Sequence, residues 1–180
     1  MGFNDFLKSL FGSKSERDLK KLMPIVKKIQ AVYPEIEVLS NDGLRARTAE
    51  LRAAIQEHIK PENDEIAAIK AEIETIDYEE REPLWQRVDR IEKTILDKIE
   101  EKLNEILPEV FAIVKETARR FTENETIEVT ASDFDRELAA EGKDFLEING
   151  DTAVYFNHWV AGGNDMKWAI CFWIVSVGTV

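Results

Sequence analysis

The chain has 180 residues, 44% apolar and 33% charged, which is enough for a buried core and too apolar for wholesale disorder. Its 24 basic and 36 acidic residues leave a net charge of −12. That excludes a general nucleic-acid binder, because phosphates need a basic footprint. The single cysteine, Cys171, excludes an internal disulfide, and with only two histidines it excludes zinc sites built from Cys and His alone.

The first residues set the chain's polarity. Met1–Phe11 has no basic leader and no long apolar stretch, so no secretory signal is expected. With no disulfide, the compartment reads as reducing and cytosolic. Met1–Gln30 holds seven basic against three acidic residues, a net +4, and leaves −16 on the other 150. A basic front on an acidic body draws different partners to its two parts. Phe3, Phe6, Leu7, Leu10 and Phe11 recur at the spacing of one helix face. Lys8, Lys14, Arg17, Lys20 and Lys21 lie among or behind them. Two readings follow from the residues alone. One is a surface-seeking helix, aromatic face in the lipid boundary and lysines on anionic headgroups. The other is a terminal helix docked on its own core.

From Lys14 to Val32 the apolar residues keep helical spacing, and Pro24 is expected to kink or split the helix. Pro34 should open a short segment through Leu39. Ser40 then precedes a second helix that ends near Ile59, stopped by Pro61. Glu62–Leu107 is the most regular stretch, with Ile66, Ile69, Ile73 and Ile76 before a break at Asp77–Pro83 and Leu84, Val88, Ile91, Ile95 and Ile99 after it. The pattern predicts two helices folded into an antiparallel hairpin, with one long kinked helix as the alternative. Leu107–Phe121 reads as a separate helix with Pro108 in its first turn and Arg119 and Arg120 near its C-terminal end.

Beyond Phe121 the pattern turns to strands. Thr126–Thr130 alternates, and Ser132 can cap a short helix through about Ala140. Phe145–Ile148 and Thr152–Trp159 flank Asn149-Gly150, which predicts a hairpin with a type I′ turn. Ala161–Asp165, with Gly162-Gly163, reads as a loop. The fold class expected is therefore mainly α with a small β element.

No pattern nominates a catalytic centre or a cofactor site. The chain has no G-x-x-x-x-G-K-[ST] loop and no G-x-G-x-x-G. His58 and His158 are far apart, and neither sits in H-E-x-x-H. Asp133-Phe134-Asp135 starts like a calcium loop but lacks the Gly and Glu that must follow.

Three passages together resemble the N-terminal region of the SecA preprotein translocase family. Phe11-Gly12-Ser13-Lys14-Ser15-Glu16-Arg17-Asp18-Leu19 is similar to the family's opening. Leu39-Ser40-Asn41-Asp42-Gly43-Leu44-Arg45-Ala46-Arg47-Thr48-Ala49-Glu50-Leu51-Arg52 resembles its LSDEELRxKTxEFR passage. Leu107-Pro108-Glu109-Val110-Phe111-Ala112-Ile113-Val114-Lys115-Glu116-Thr117-Ala118-Arg119-Arg120 resembles LPEAFAVVREAxRR. Their order matches as well. The resemblance implies part of a helicase-like motor domain, in a cytosolic and peripheral-membrane ATPase that pushes preproteins through the SecYEG channel. It also implies a membrane- and translocon-binding role for Phe3, Phe6, Leu7, Lys8, Leu10, Phe11, Lys14, Arg17, Lys20 and Lys21, which favours the lipid reading of the first helix.

The departures from the family pattern shape the expected organisation. Residues 1–121 form the helical N-terminal region, with an inserted hairpin at 62–102. A second insertion, 122–168, holds the β element. The family's D-V-Q-L-x-G-G and G-E-G-K-T passages, which serve ATP and Mg, are missing, so the chain alone is expected to be no enzyme. Ala169–Val180 has no charge and is read as a frameshifted or truncated end, with the resemblance stopping at Trp168. The alternative is an ordinary buried strand, consistent with its β-branched and aromatic content. A non-enzymatic adaptor that docks through the hairpin is the alternative function.

Overall fold

The computed structural model describes residues 14–167, with side chains described from Asp18 onward. The chain is mostly helical, with two small antiparallel sheets, as its patterning predicts. In chain order it runs α1 (Lys14–Glu37), α2 (Asn41–Thr75), a single 3₁₀ turn (Tyr78–Glu80), α3 (Arg81–Glu123), β1 (Thr126–Thr130), α4 (Asp133–Ala140), β2 (Leu146–Asn149), β3 (Thr152–Phe156), β4 (His158–Ala161) and β5 (Asn164–Lys167). The chain divides into two compact units. One is Gly43–Leu107; the other comprises the described residues up to Asp42 and from Pro108 onward.

Pro34, Pro61 and Pro108 do not mark the element boundaries expected of them, and Pro24 does not split its helix. Pro24 and Pro34 lie inside α1, Pro61 inside α2 and Pro108 inside α3. Burial explains Pro61. An interior proline costs about 3 kcal/mol. Along α2, Leu44, Leu51, Ile59, Ile66, Ile69 and Ile73 are buried, and each buried side chain of this size contributes roughly 1.5–3 kcal/mol. Ending the helix at Ile59 would strip its last three buried isoleucines of their helical spacing. Pro108 is bracketed in the same way by buried Ile106, Ala112 and Ile113. Pro24 sits where α1 is exposed on every side. There water can solvate the carbonyl that loses its partner, which lowers the cost.

The Gly43–Leu107 unit holds the predicted antiparallel hairpin. Ile66, Ile69 and Ile73 of α2 pack with Val88 and Ile91 of α3, flanked by Leu84 and Ile95. The connection reverses at Asp77, which is extended, and the Arg81 guanidinium donates to the Ile76 carbonyl at 3.0 and 3.2 Å. Pro83 is not part of the break. It lies in the first turn of α3, where a backbone N–H has no intrahelical acceptor. Arg87 pairs with Glu65, and Lys98 with Glu62, across the two helices.

In the other unit, β1, β3 and β2 form a three-stranded sheet with β3 central. Val129 faces Ala153 and Ile148 faces it from the other side; Ile127, Tyr155 and Leu146 form the neighbouring row. These rows are the sheet's inner face, and Leu138 and Ala139 of α4 pack against it. Ser132 caps α4 as expected, in a reciprocal box with Asp135. Asp135 is fully buried and also accepts from the Tyr155 hydroxyl. A buried carboxylate is tolerable because its oxygens are satisfied.

The turns exchange roles relative to the sequence expectation. Asn149 pairs with Thr152, so Gly150-Asp151 form the turn of the first hairpin. Only Gly150 has positive φ, at 64°, which is the type II′ pattern rather than I′. The expected loop at Gly162-Gly163 is itself a hairpin turn between β4 and β5, with φ of 57° and 78°. Two successive positive φ angles are what type I′ requires. The expected long strand Thr152–Trp159 breaks at Asn157, whose N–H donates to the Glu125 carbonyl.

Candidate functional site

Of the residues singled out for membrane and translocon binding, Phe3, Phe6, Leu7, Lys8, Leu10 and Phe11 lie outside the described residues. Lys14 and Arg17 belong to α1, and Lys20 and Lys21 are exposed on it. Exposure is the main property of this half of the helix. Every residue from Asp18 to Lys28 is exposed. Leu19, Leu22, Met23 and Val26 follow the i, i+3, i+4, i+7 spacing and so form one stripe. Lys20 and Lys27 flank it, and Lys21 and Lys28 lie further round. The result is a basic amphipathic face, and the apolar pattern of Phe3–Phe11 leads into it along the chain.

The second half of α1 is anchored by a polar cluster that the sequence reading did not assemble. Its centre is Glu116 of α3, whose side chain is fully buried. Oε2 accepts from the Tyr33 hydroxyl at 2.7 Å and from Arg119 Nε at 2.9 Å. Oε1 accepts from Arg119 Nη2 and from Arg120 Nε, both at 2.7 Å. Lys115 Nζ sits 3.8 Å from the centre of the Tyr33 ring, a cation–π contact.

Arg120 extends the cluster to the α1–α2 junction. Its Nη2 donates to the carbonyls of Leu39 at 2.6 Å and Glu37 at 3.3 Å, and its Nη1 to Asn41 Oδ1 at 2.7 Å. A guanidinium at the last carbonyls of α1 also complements the helix dipole. Asn41 Nδ2 donates to the Glu128 carbonyl at 3.0 Å. The Asp42 carboxylate accepts from the Thr130 N–H at 2.9 Å and hydroxyl at 2.8 Å. The C-terminus of α1, the start of α2, the end of α3 and strand β1 are thus held by one connected set of hydrogen bonds.

The electrostatics follow from this geometry. Burial pushes the Glu116 carboxyl up, but the hydrogen bonds from Arg119, Arg120 and Tyr33 outweigh it and hold the pKa down to about 2. Burial, followed by the Glu116 carboxylate, pushes the Tyr33 hydroxyl above its usual range. Arg119 is held still more firmly in its charged form by the hydrogen bonds to Glu116. A carboxylate so stabilised is a weak base at neutral pH, so the chemistry open to it is positioning rather than proton transfer. The available sequence signal was the spacing of Glu116 with Arg119 and Arg120, at i+3 and i+4. Nothing in the chain's periodicity pairs that triplet with Tyr33 or Asn41. Among the described residues, no three His, Cys, Asp or Glu side chains form a group that could hold a metal ion.

Residues 7–132 match the model of the SecA DEAD-like domain. The chain belongs to that family. Relatives that the chain matches carry the name protein translocase subunit SecA. The one from Porphyromonas gingivalis is 57% identical over 182 residues, covering 100% of this chain. The one from Phocaeicola vulgatus is 52% identical over 177 residues, and that from Christiangramia forsetii 42% over 179, each covering 98% of this chain. The chain spans 16% of the length of each. No solved structure matches it. The resemblance to SecA does not stop at Trp168, because the Porphyromonas alignment covers the whole chain. It therefore also includes the hairpin and the β element, so these segments are matched in that SecA relative rather than being peculiar to this chain.

Proposed function

We propose that this chain is the N-terminal part of a SecA protein translocase subunit, and that its own contribution is docking to an anionic membrane surface and to the SecYEG channel. The reading is carried by α1. In a chain of net charge −12, its exposed half sets Lys20 and Lys27 beside an exposed apolar stripe, with Lys21 and Lys28 further round the helix. Apolar contact and headgroup attraction together give the two signals that stable surface binding needs. The Glu116 cluster supplies the rigid base, because it ties the second half of α1 to α3. Among the described residues no helix is long and apolar enough to cross a membrane, and the proposed mode is peripheral, at the cytoplasmic face.

The parent activity, ATP-driven movement of preproteins, needs nucleotide contacts that this chain's motifs do not provide. We expect purified chain to bind ATP weakly and to show no turnover, because phosphate binding calls for a Gly-rich loop and its Lys. Flotation with vesicles rich in anionic lipid tests the docking. Binding should fall as salt rises and fall again with Phe6→Asp or with Lys20→Glu and Lys21→Glu together. Binding indifferent to salt and to all three changes would instead favour an adaptor acting through the hairpin, where Trp85, Leu96 and Leu103 are exposed apolar contacts.

A further inference from the structure

Within the Gly43–Leu107 unit, helix α3 carries a second stripe besides the one that holds the hairpin. Leu84, Val88, Ile91 and Ile95 meet α2. Displaced from them by one residue, about 100° round the helix, run Trp85, Asp89, Glu92, Leu96, Ile99 and Leu103. Their steps alternate between four and three, which is the a/d spacing of a coiled coil. Leu96 is 66% exposed, Leu103 47% and Trp85 43%. Asp89 and Glu92 are exposed and Ile99 is half-buried. Exposed apolar side chains scattered singly are ordinary, but three large ones in a/d register form a surface.

The two carboxylates define the chemistry of an occupant. A charged side chain in a helix–helix seam is costly unless the facing helix supplies the opposite charge. In the same unit Glu62, Glu65 and Glu105 pair with Lys98, Arg87 and Lys102. Asp89 and Glu92 have no ion-pair partner among the described residues. Residues 43–107 hold eleven basic against seventeen acidic side chains, so an acidic partner is repelled. An anionic membrane surface is repelled too, and burying these carboxylates against lipid would be costly. From Trp85 to Leu103 the stripe is roughly 27 Å long at helical rise, and a second helix laid along it meets every a and d position. We propose that this stripe docks a helix of a partner protein, with Lys or Arg opposite Asp89 and Glu92 and apolar side chains opposite Trp85, Leu96 and Leu103. This docking uses neither α1 nor lipid, so its failure and that of membrane docking are separate outcomes.

Two stapled helical peptides of three heptads serve as probes, one with leucine and lysine sharing its a/d stripe and one with glutamate in place of each lysine. Fluorescence anisotropy with the full chain should show the lysine peptide bound about tenfold or more tightly than the glutamate peptide. Asp89→Lys with Glu92→Lys should invert that preference. Asp97→Lys with Glu101→Lys, the same change of charge further round α3, should leave it in place. Leu96→Ala keeps both carboxylates and should weaken the lysine peptide about tenfold; it decides alone if the Asp89 and Glu92 variant unfolds. The proposal is overturned if neither peptide binds, or if the two lysine pairs shift the preference equally, which would mean general attraction to an acidic chain. It is equally overturned if sedimentation shows the chain associating with itself and Leu96→Asp abolishes that, which would put a second copy on the stripe.

Discussion

The hairpin and the Glu116 cluster both hold helices together, by opposite means. In the hairpin, Ile66, Ile69 and Ile73 meet Val88 and Ile91, and ion pairs such as Arg87–Glu65 lie exposed at the edge. The apolar seam is redundant, since each side chain contributes a similar increment and neighbours can partly relax around a loss. In the cluster, one carboxylate satisfies three side chains and a single guanidinium reaches three partners around the α1–α2 junction. The Glu116 carboxylate at its centre is fully buried, at a cost that only its partners offset. The seam should therefore fail gradually and the cluster abruptly.

The sharpest way to break this contrast is Glu116→Ala, which leaves two guanidiniums and a phenol facing an empty position. We expect a loss of about 3–5 kcal/mol in urea unfolding, the range for removing one partner of a buried ionic network. Ile69→Ala tests the seam and should cost about 2–5 kcal/mol, toward the lower end if the hairpin closes around the gap. A loss for Glu116→Ala no larger than that of an exposed ion pair would remove the distinction.

Acid sharpens the comparison next. Glu116 has a folded pKa of about 2, below the roughly 4.3 of an unfolded glutamate. Its contribution is thus present above pH ~4.3 and is lost as pH falls toward 2. Glu62, held below its usual range chiefly by the Lys98 hydrogen bond, acts in the same direction within the hairpin. The melting temperature should fall across that window, and Glu116→Gln should flatten the fall more than Glu62→Gln. The smallest expected effect is at the hairpin's surface. Arg87 and Glu65 are both about half exposed, so Arg87→Ala should change stability by less than about 0.5 kcal/mol.

Much of the architecture was legible in the residues. The isoleucine steps predicted the hairpin, Ser132 predicted the cap of α4, and the alternation at Thr126–Thr130 and the segments around Asn149-Gly150 predicted three strands. These are local signals, because hydrophobic periodicity and capping depend on neighbours three or four residues away. The family was legible too, from three passages in order.

What the sequence could not decide was every outcome set by contacts distant along the chain. Pro61 read as a helix stop and Pro108 as the first turn of a separate helix, but burial on either side of each outweighs the lost hydrogen bond. Asn149-Gly150 read as a type I′ turn, but the Asn149–Thr152 register moved the turn by one residue. The Glu116 cluster joins positions as far apart as 33 and 116, and no periodicity encodes that pairing. Residue spacing determined which segments are helix or strand and where the basic amphipathic stretch begins. Tertiary packing alone decided which half of α1 is held and which half is left exposed with its lysines.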